Sequence, residues 1–157
     1  GGGLTHAAFQ LTALTTRYSA LVRALKTPGV RLVVAERSLA SDSVVFAGTH
    51  LSDIDACAYA VAYEALVSAL GPVSYTTVLL HAPIHMLEAR IRARGREGES
   101  EGKGGGVNAH YLQVIEAAHA HFFDHIGADQ TKLRVDASQS ASQVTAHVTS
   151  LIRDLLQ

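Results

Sequence analysis

Apolar residues recur along this chain with two different spacings, and the switches between them mark out its elements. From residue 5 to 26, Ala7, Leu11, Leu14, Tyr18, Leu21 and Leu25 fall three or four apart, which predicts a helix with one apolar stripe. RLVVAE (31–36) is a short run rich in β-branched residues and predicts a strand. The run ends on Glu36-Arg37, and the polar segment after it returns to helical spacing. Residues 51–70 are alanine-rich, periodic and helical, and stop at Gly71-Pro72. YTTVLLHA (75–82) predicts the next strand, and a helix follows from about Pro83. NAHYLQVIEAAHAHFFDHI opens on an Asn N-cap and predicts a helix running to Gly127. KLRVDA (132–137) predicts a third strand, and 139–156 a closing amphipathic helix. Short, mostly apolar strands alternating with helices predict an α/β fold, a parallel sheet with helices on both faces. No strand precedes the first helix, so the opening strand of such a unit is expected to be missing.

Composition narrows this picture. A chain of 157 residues suits one domain with a real core, here residues 1–157. It is 48% hydrophobic and 17% charged with a net charge of −1, which excludes a disordered tail and gives no basic field for nucleic acid. One cysteine, Cys57, excludes a disulfide framework and is expected to be a small core residue. No apolar run is long enough to span a membrane and nothing near the start resembles a signal peptide. A soluble, intracellular domain is expected.

The charges are unevenly spread. Arg90, Arg92, Arg94 and Arg96 crowd onto alternate positions with no acid between them. On a continuous helix Arg90/Arg94 and Arg92/Arg96 are both i,i+4 neighbours, each like-charged pair costing about 0.2–0.5 kcal/mol. Arginine suits bidentate phosphate contacts, so this cluster is read as a phosphate site. The glycine-rich stretch after it, residues 97–107, is the candidate for a flexible lid loop. Gln10 and Arg17 are two helical turns apart and share a face at the edge of the apolar stripe. There they either flank the core or line a pocket for a planar polar ligand. Glu36 and Arg37 either cap a strand end or sit at the carboxyl edge of a parallel sheet, where open α/β folds bind ligands. His121 and His125 have a metal-ligand spacing, with His119 nearby, but no third ligand falls in evident register. Ser38 lacks the G-x-S-x-G context of a hydrolase nucleophile.

Taken in order, these segments resemble the deoxynucleoside kinases, the family of deoxycytidine, deoxyguanosine and mitochondrial thymidine kinases. Phe9-Gln10 with Arg17 resembles the base-binding helix, and ERSLASD (36–42) the family's E-R-S motif. Phe46 falls where the family stacks an aromatic on the base. RIRARGREGE (90–99) resembles the arginine lid, YLQVIEAAHAHFF the helix after it, and LRVDAS the last strand with the adenine-contacting loop. The resemblance implies a P-loop kinase-like three-layer α/β/α fold and ATP-dependent phosphorylation of the 5′-hydroxyl of a deoxynucleoside. It implies that Glu36 helps to hold Mg²⁺ and that Arg37 lies near the 5′-hydroxyl and the transferring phosphoryl group. Gln10, Arg17 and Asp42 are then expected to hydrogen-bond the base, with Phe9 and Phe46 against its faces. Arg90, Arg94 and Arg96 are expected to grip ATP, and Glu99 to accept the sugar 3′-hydroxyl. An acid at Asp42 favours deoxycytidine or a purine deoxynucleoside over thymidine.

The sequence also departs from the family. The family opens with a strand, a G-x-x-x-x-G-K-[ST] loop and an acidic general base; none of these occurs here. EGKGGG (101–106) lacks the spacing and the Ser/Thr of such a loop. The lid is longer than usual, and Ser43 stands where an arginine is common. The chain is therefore expected to be the C-terminal portion of a kinase, inactive alone and pairing as a homodimer, cytoplasmic or mitochondrial. The alternative is a non-catalytic relative kept as an accessory subunit of a larger assembly, as in mitochondrial complex I.

Overall fold

The computed structural model describes residues 5–96, 107–127 and 130–157, and it divides into two compact units, the first ending at Ser74 and the second beginning at Tyr75. The first unit is helical. Helix α1 (His6–Leu25) begins where the Thr5 hydroxyl accepts the Ala8 N–H at 3.2 Å, satisfying one of the donors that a helix start leaves orphaned. Its predicted stripe is the buried face. Leu14 is fully buried with Leu11, Tyr18 and Leu21 packed around its cluster, and only Leu25, at the fraying end, is exposed.

A tight sequence of turns follows. In α2 (Leu39–Ser41) Ser38 and Ser41 cap each other, hydroxyl to backbone N–H, at 3.0 Å in both directions. A π-helical stretch (Asp42–Ala47) continues it, and the Gly48 N–H reaches back five residues to the Ser43 carbonyl. Then come α3 (Gly48–His50) and the long α4 (Asp53–Leu70). Tyr59 of α4 joins Leu14, Leu39 and Ala47 in one buried cluster.

Two expectations fail in this unit. Residues 31–36 form no strand. Side-chain type favours extended backbone there, but a strand also needs a neighbour for its N–H and C=O groups. No described segment pairs with this run, and its Leu32 and Val34 are exposed. Cys57 is exposed rather than in the core. On a helix apolar nearly all round, the face that packs is chosen by α1 and the turns before α4, and Cys57 is on the other side.

The second unit is a small α/β layer. Strands β1 (Thr76–His81) and β2 (Thr131–Asp136) pair in parallel, Thr76 opposite Thr131 and His81 opposite Asp136. Among the described residues two strands are therefore observed where three were predicted. Parallel strands need a long crossover, and α5 (Ile84–Arg94) and α6 (Ala109–His125) lie within it, α5 against α6 and α6 against β1. The Asn108 side chain caps α6 by accepting the Tyr111 N–H at 2.8 Å. The helix ends at His125, short of Gly127. Helix α7 (Ala141–Leu155) opens on a reciprocal Ser140–Gln143 capping box and packs on β2. Val135 and Phe123 are buried between these layers. The result is an α/β fold on a parallel sheet. No helix among the described residues is long and apolar enough to cross a membrane.

Candidate functional site

In the first unit, polar side chains gather where α1 meets the start of the π-helical stretch. Arg17 Nη1 donates to Asp42 Oδ1 at 2.6 Å. The pair is lopsided in its burial: the Asp42 side chain is 1% exposed and that of Arg17 32%. A carboxylate so deep is costly to hold ionised without a cation, and Arg17 supplies one while keeping part of its fork toward solvent. Gln10, two turns earlier on α1, is also buried. The three residues expected from sequence to read a base are thus a buried amide, a buried carboxylate and a half-buried guanidinium, which together offer donors and acceptors to a planar polar ligand.

Local sequence explains the placement. The Ser38–Ser41 box starts the turn, so the Asp42 N–H bonds the Ser38 carbonyl at 3.1 Å. The π-helical turn that follows spreads Asp42 through Ala47 over one wide turn, a geometry found often at functional sites. Asp42 and Val45 both point inward.

Sequence reasoning missed one member of this cluster. The Tyr59 hydroxyl is buried and has no hydrogen-bond partner, and Asp42 Oδ2 is in the same state. Burial first, and then the charge of Asp42, push the Tyr59 phenol well above its ordinary pKa, so the hydroxyl keeps its proton. The signal available in sequence was a lone polar-tipped aromatic pair, Tyr59 and Tyr63, in an alanine-rich run; it reads equally well as core.

Glu36, Arg37 and Phe46 lie on the adjoining loop and turn. The Arg37 guanidinium carbon is 3.8 Å from the centroid of the Phe46 ring, a cation–π stack. The two residues expected to meet the sugar end and the base of one ligand therefore lie on each other. Glu36 is 91% exposed and 4.0 Å from Arg37. A single accessible carboxylate fits Mg²⁺, which keeps several waters and takes one or two carboxylates beside phosphate oxygens. Phe9 is 58% exposed on the first turns of α1.

The arginine cluster belongs to the second unit. Arg90, Arg92 and Arg94 are exposed on the last turns of α5, and Arg90 donates to the Gln139 carbonyl at 3.3 Å. Arg96 is not on the helix, contrary to the predicted Arg92/Arg96 pair. Gly95 takes the left-handed conformation, φ 60°, and ends α5 at Arg94, as a helix-terminating glycine does. The change relieves one like-charge neighbour and turns Arg96 away from the α5 surface. Glu99 and nearly all of the glycine-rich loop lie outside the described residues. At the carboxyl end of the sheet, His81 Nε2 is 3.2 Å from Glu116. Asp136 is held below its ordinary carboxylate range by hydrogen bonds from Ser138, the hydroxyl first and then the backbone N–H. His121 and His125 bring their ring centroids to 4.1 Å, but no cluster of three metal-ligating side chains occurs among the described residues.

Comparison with known proteins gives the following. A family model described as deoxynucleoside kinase matches residues 6–157. Among solved structures, the chain is similar to deoxyadenosine kinase from M. mycoides with the products dCMP and a flexible dCDP bound, at a TM-score of 0.70 and 17% identity, covering 92% of this chain and 72% of that one. It is similar to the same enzyme with dATP bound at a TM-score of 0.66 and 18% identity, covering 94% and 73%. No curated protein sequence matches. At these identities the structural likeness establishes a shared fold, while the family match extends over nearly all of the chain.

Proposed function

Because the chain belongs to the deoxynucleoside kinase family, we propose that it serves the transfer of the terminal phosphoryl group of ATP to the 5′-hydroxyl of a deoxynucleoside, with deoxycytidine or a purine deoxynucleoside preferred over thymidine. The observation that carries this reading is the Arg17–Asp42 pair with its buried carboxylate, Arg17 standing on a helix that also buries Gln10 two turns earlier. An ionised carboxylate only accepts hydrogen bonds, so Asp42 suits an exocyclic amino group or a ring N–H. Thymine offers a carbonyl and a methyl group at the corresponding edge and leaves the carboxylate unpaired. A site built for a polar contact rejects a ligand lacking it by orders of magnitude. The similar M. mycoides enzyme was seen with both cytosine and adenine nucleotides, which agrees with a pocket that favours amino-bearing bases.

Other residues take parts consistent with such a transfer. Glu36 would offer a hard oxygen to Mg²⁺, whose chemistry is to neutralise phosphate charge. Arg37, already free to stack on Phe46, would exchange that contact for the nucleoside and the phosphoryl group. Arg90, Arg94 and Arg96 would bind phosphate oxygens; such catalysis is mostly positioning and neutralisation of spreading negative charge.

Binding is the direct test, because the G-x-x-x-x-G-K-[ST] motif does not occur in these 157 residues. Calorimetric titration with deoxycytidine, deoxyadenosine and thymidine should rank thymidine last. The double variant Arg17→Met/Asp42→Ala should raise thymidine affinity and lower the other two. A wild-type protein that prefers thymidine, or binds no nucleoside, overturns the reading.

A further inference from the structure

Tyr59 has a hydroxyl that packing does not explain. Its ring fills the core of the first unit with Leu14, Leu39 and Ala47, a place a phenylalanine would fill as well. The residue is 3% exposed, and its hydroxyl finds no hydrogen-bond partner. A buried, unpartnered polar atom is rare and costly in a folded protein. A second such atom is on the turn between Leu39 and Ala47 that packs against α4: Asp42 Oδ2, while Oδ1 of that carboxylate is taken by Arg17. The two orphans are complementary, since the phenol retains its proton and an ionised carboxylate only accepts. They are also close enough for Asp42 to act on the phenol through its charge and, more weakly, as a hydrogen-bond acceptor, short of a fully formed bond.

We propose that Tyr59 is a positioning residue for base recognition: its hydroxyl, anchored through the core by its ring, donates to Asp42 Oδ2 once Asp42 and Arg17 engage a base, and so fixes the plane of the carboxylate. The proposal rests on the nucleoside-binding function above and deepens it. A carboxylate tied at one oxygen by Arg17 can still turn about its own axis. Tied at both, from α1 and from α4, it presents one edge to the ligand, and that edge rewards an amino-bearing base. Tyr59 would then contribute to selectivity without touching the nucleoside. The energetic logic is that of a site supporting its own reading group through an outer hydrogen bond.

The test is a double-mutant cycle on the whole chain, read by calorimetric affinity for deoxycytidine, deoxyadenosine and thymidine and by melting temperature. Tyr59→Phe keeps the ring and removes the hydroxyl. It should weaken deoxycytidine and deoxyadenosine about tenfold, the scale of one hydrogen bond to a charged group, and leave thymidine unchanged. The melting temperature should hold or rise, since an unpartnered buried hydroxyl has been removed. In an Asp42→Asn background the same change should have no effect on selectivity, because Tyr59 acts through the carboxylate.

Three results would overturn the assignment. One is unchanged selectivity in Tyr59→Phe while Asp42→Asn abolishes it, which leaves the nucleoside-binding reading standing. Another is an equal loss for all three nucleosides together with a lowered melting temperature or failure to fold, which makes Tyr59 structural. The third is a selectivity loss that persists with Asp42→Asn. Absence of nucleoside binding by the wild-type chain removes the functional reading itself, and this assignment with it.

Discussion

Two arginine–aspartate pairs in this protein have nearly the same length and opposite surroundings. Arg17 Nη1 and Asp42 Oδ1 are 2.6 Å apart in the first unit, and Arg134 Nη2 and Asp124 Oδ1 are 2.7 Å apart in the second. The Asp42 side chain is 1% exposed and that of Asp124 is 59% exposed. Coulomb attraction at equal distance depends on the medium, and so does the cost of removing each ion from water. The exposed pair trades one set of hydrogen bonds for another and contributes little. The buried pair is coupled: each member makes the other tolerable. Distance alone ranks these contacts as equals, and burial separates a surface contact from a site.

The largest effect should come from removing the accessible member of the buried pair and stranding the inaccessible one. Arg17→Met strands the Asp42 carboxylate and should cost about 3–5 kcal/mol, read as a lowered urea midpoint with unchanged slope. Asp42→Ala should cost less, since a guanidinium one-third exposed can turn to water. The double variant should be more stable than Arg17→Met alone. Equal costs for the two single variants would collapse the contrast between the pairs.

The arginines of α5 come next, as exposed cations whose proposed part is in binding rather than in stability. Arg94→Ala should weaken ATP binding about tenfold, the loss of one charge-assisted contact, with deoxynucleoside affinity and melting temperature little changed. Loss of nucleoside binding with ATP binding intact would show that the phosphate assignment is misplaced.

The exposed pair should give a smaller response. Asp124→Ala is expected to cost under about 1 kcal/mol, and that cost should shrink in high salt. Arg134 also lies over the Phe123 ring, 4.6 Å from its centroid, so Arg134→Ala should exceed Asp124→Ala through lost packing. A salt-independent Asp124→Ala effect of several kcal/mol would put both pairs in one class.

The smallest response should appear on titration. Hydrogen bonds from Ser138 depress the pKa of Asp136 below its ordinary 3.8 in the folded state. The unfolded chain then binds a proton at higher pH than the folded one, so the stabilisation is complete above the unfolded value and is lost as pH falls through the folded one. Asp136→Asn should flatten the acid limb of the stability curve slightly. An unchanged limb in Asp136→Asn would deny the carboxylate this role.

Most helices were legible because their ends are written in local chemistry. Asn108 and the Pro83 boundary act within one turn of themselves, and the stripe on α1 needs no partner to be seen. The run at 31–36 was misread because its residues report a preference for extended backbone, whereas pairing is decided elsewhere in the fold. Cys57 was misplaced because α4 has little contrast between its faces. Gly95 was there to be read, but the arginine spacing was extended through it. In the candidate site, Gln10, Arg17 and Asp42 were recoverable from type and spacing together with family resemblance. Their burial and the presence of Tyr59 were not, since even Asp42, the nearest of the three, is 17 residues from Tyr59 and leaves no periodic trace there.

The π-helical stretch from Asp42 to Ala47 also has a consequence for how this protein tolerates insertions and deletions. Its bonds span five residues rather than four, so the segment holds one residue more than an ordinary helix would need to cover the same path. Deleting a single residue there would let the backbone relax into regular α-helix, with no bond lost. The helix downstream would keep its phase, while the side chains inside the stretch would lose the wide-turn spacing that now sets them relative to one another. Asp42 and Phe46 would no longer keep their present phase, although each would still be in the sequence. Length in this stretch is therefore information, as residue identity is elsewhere, and a frame-preserving indel here should act like a substitution of several residues at once.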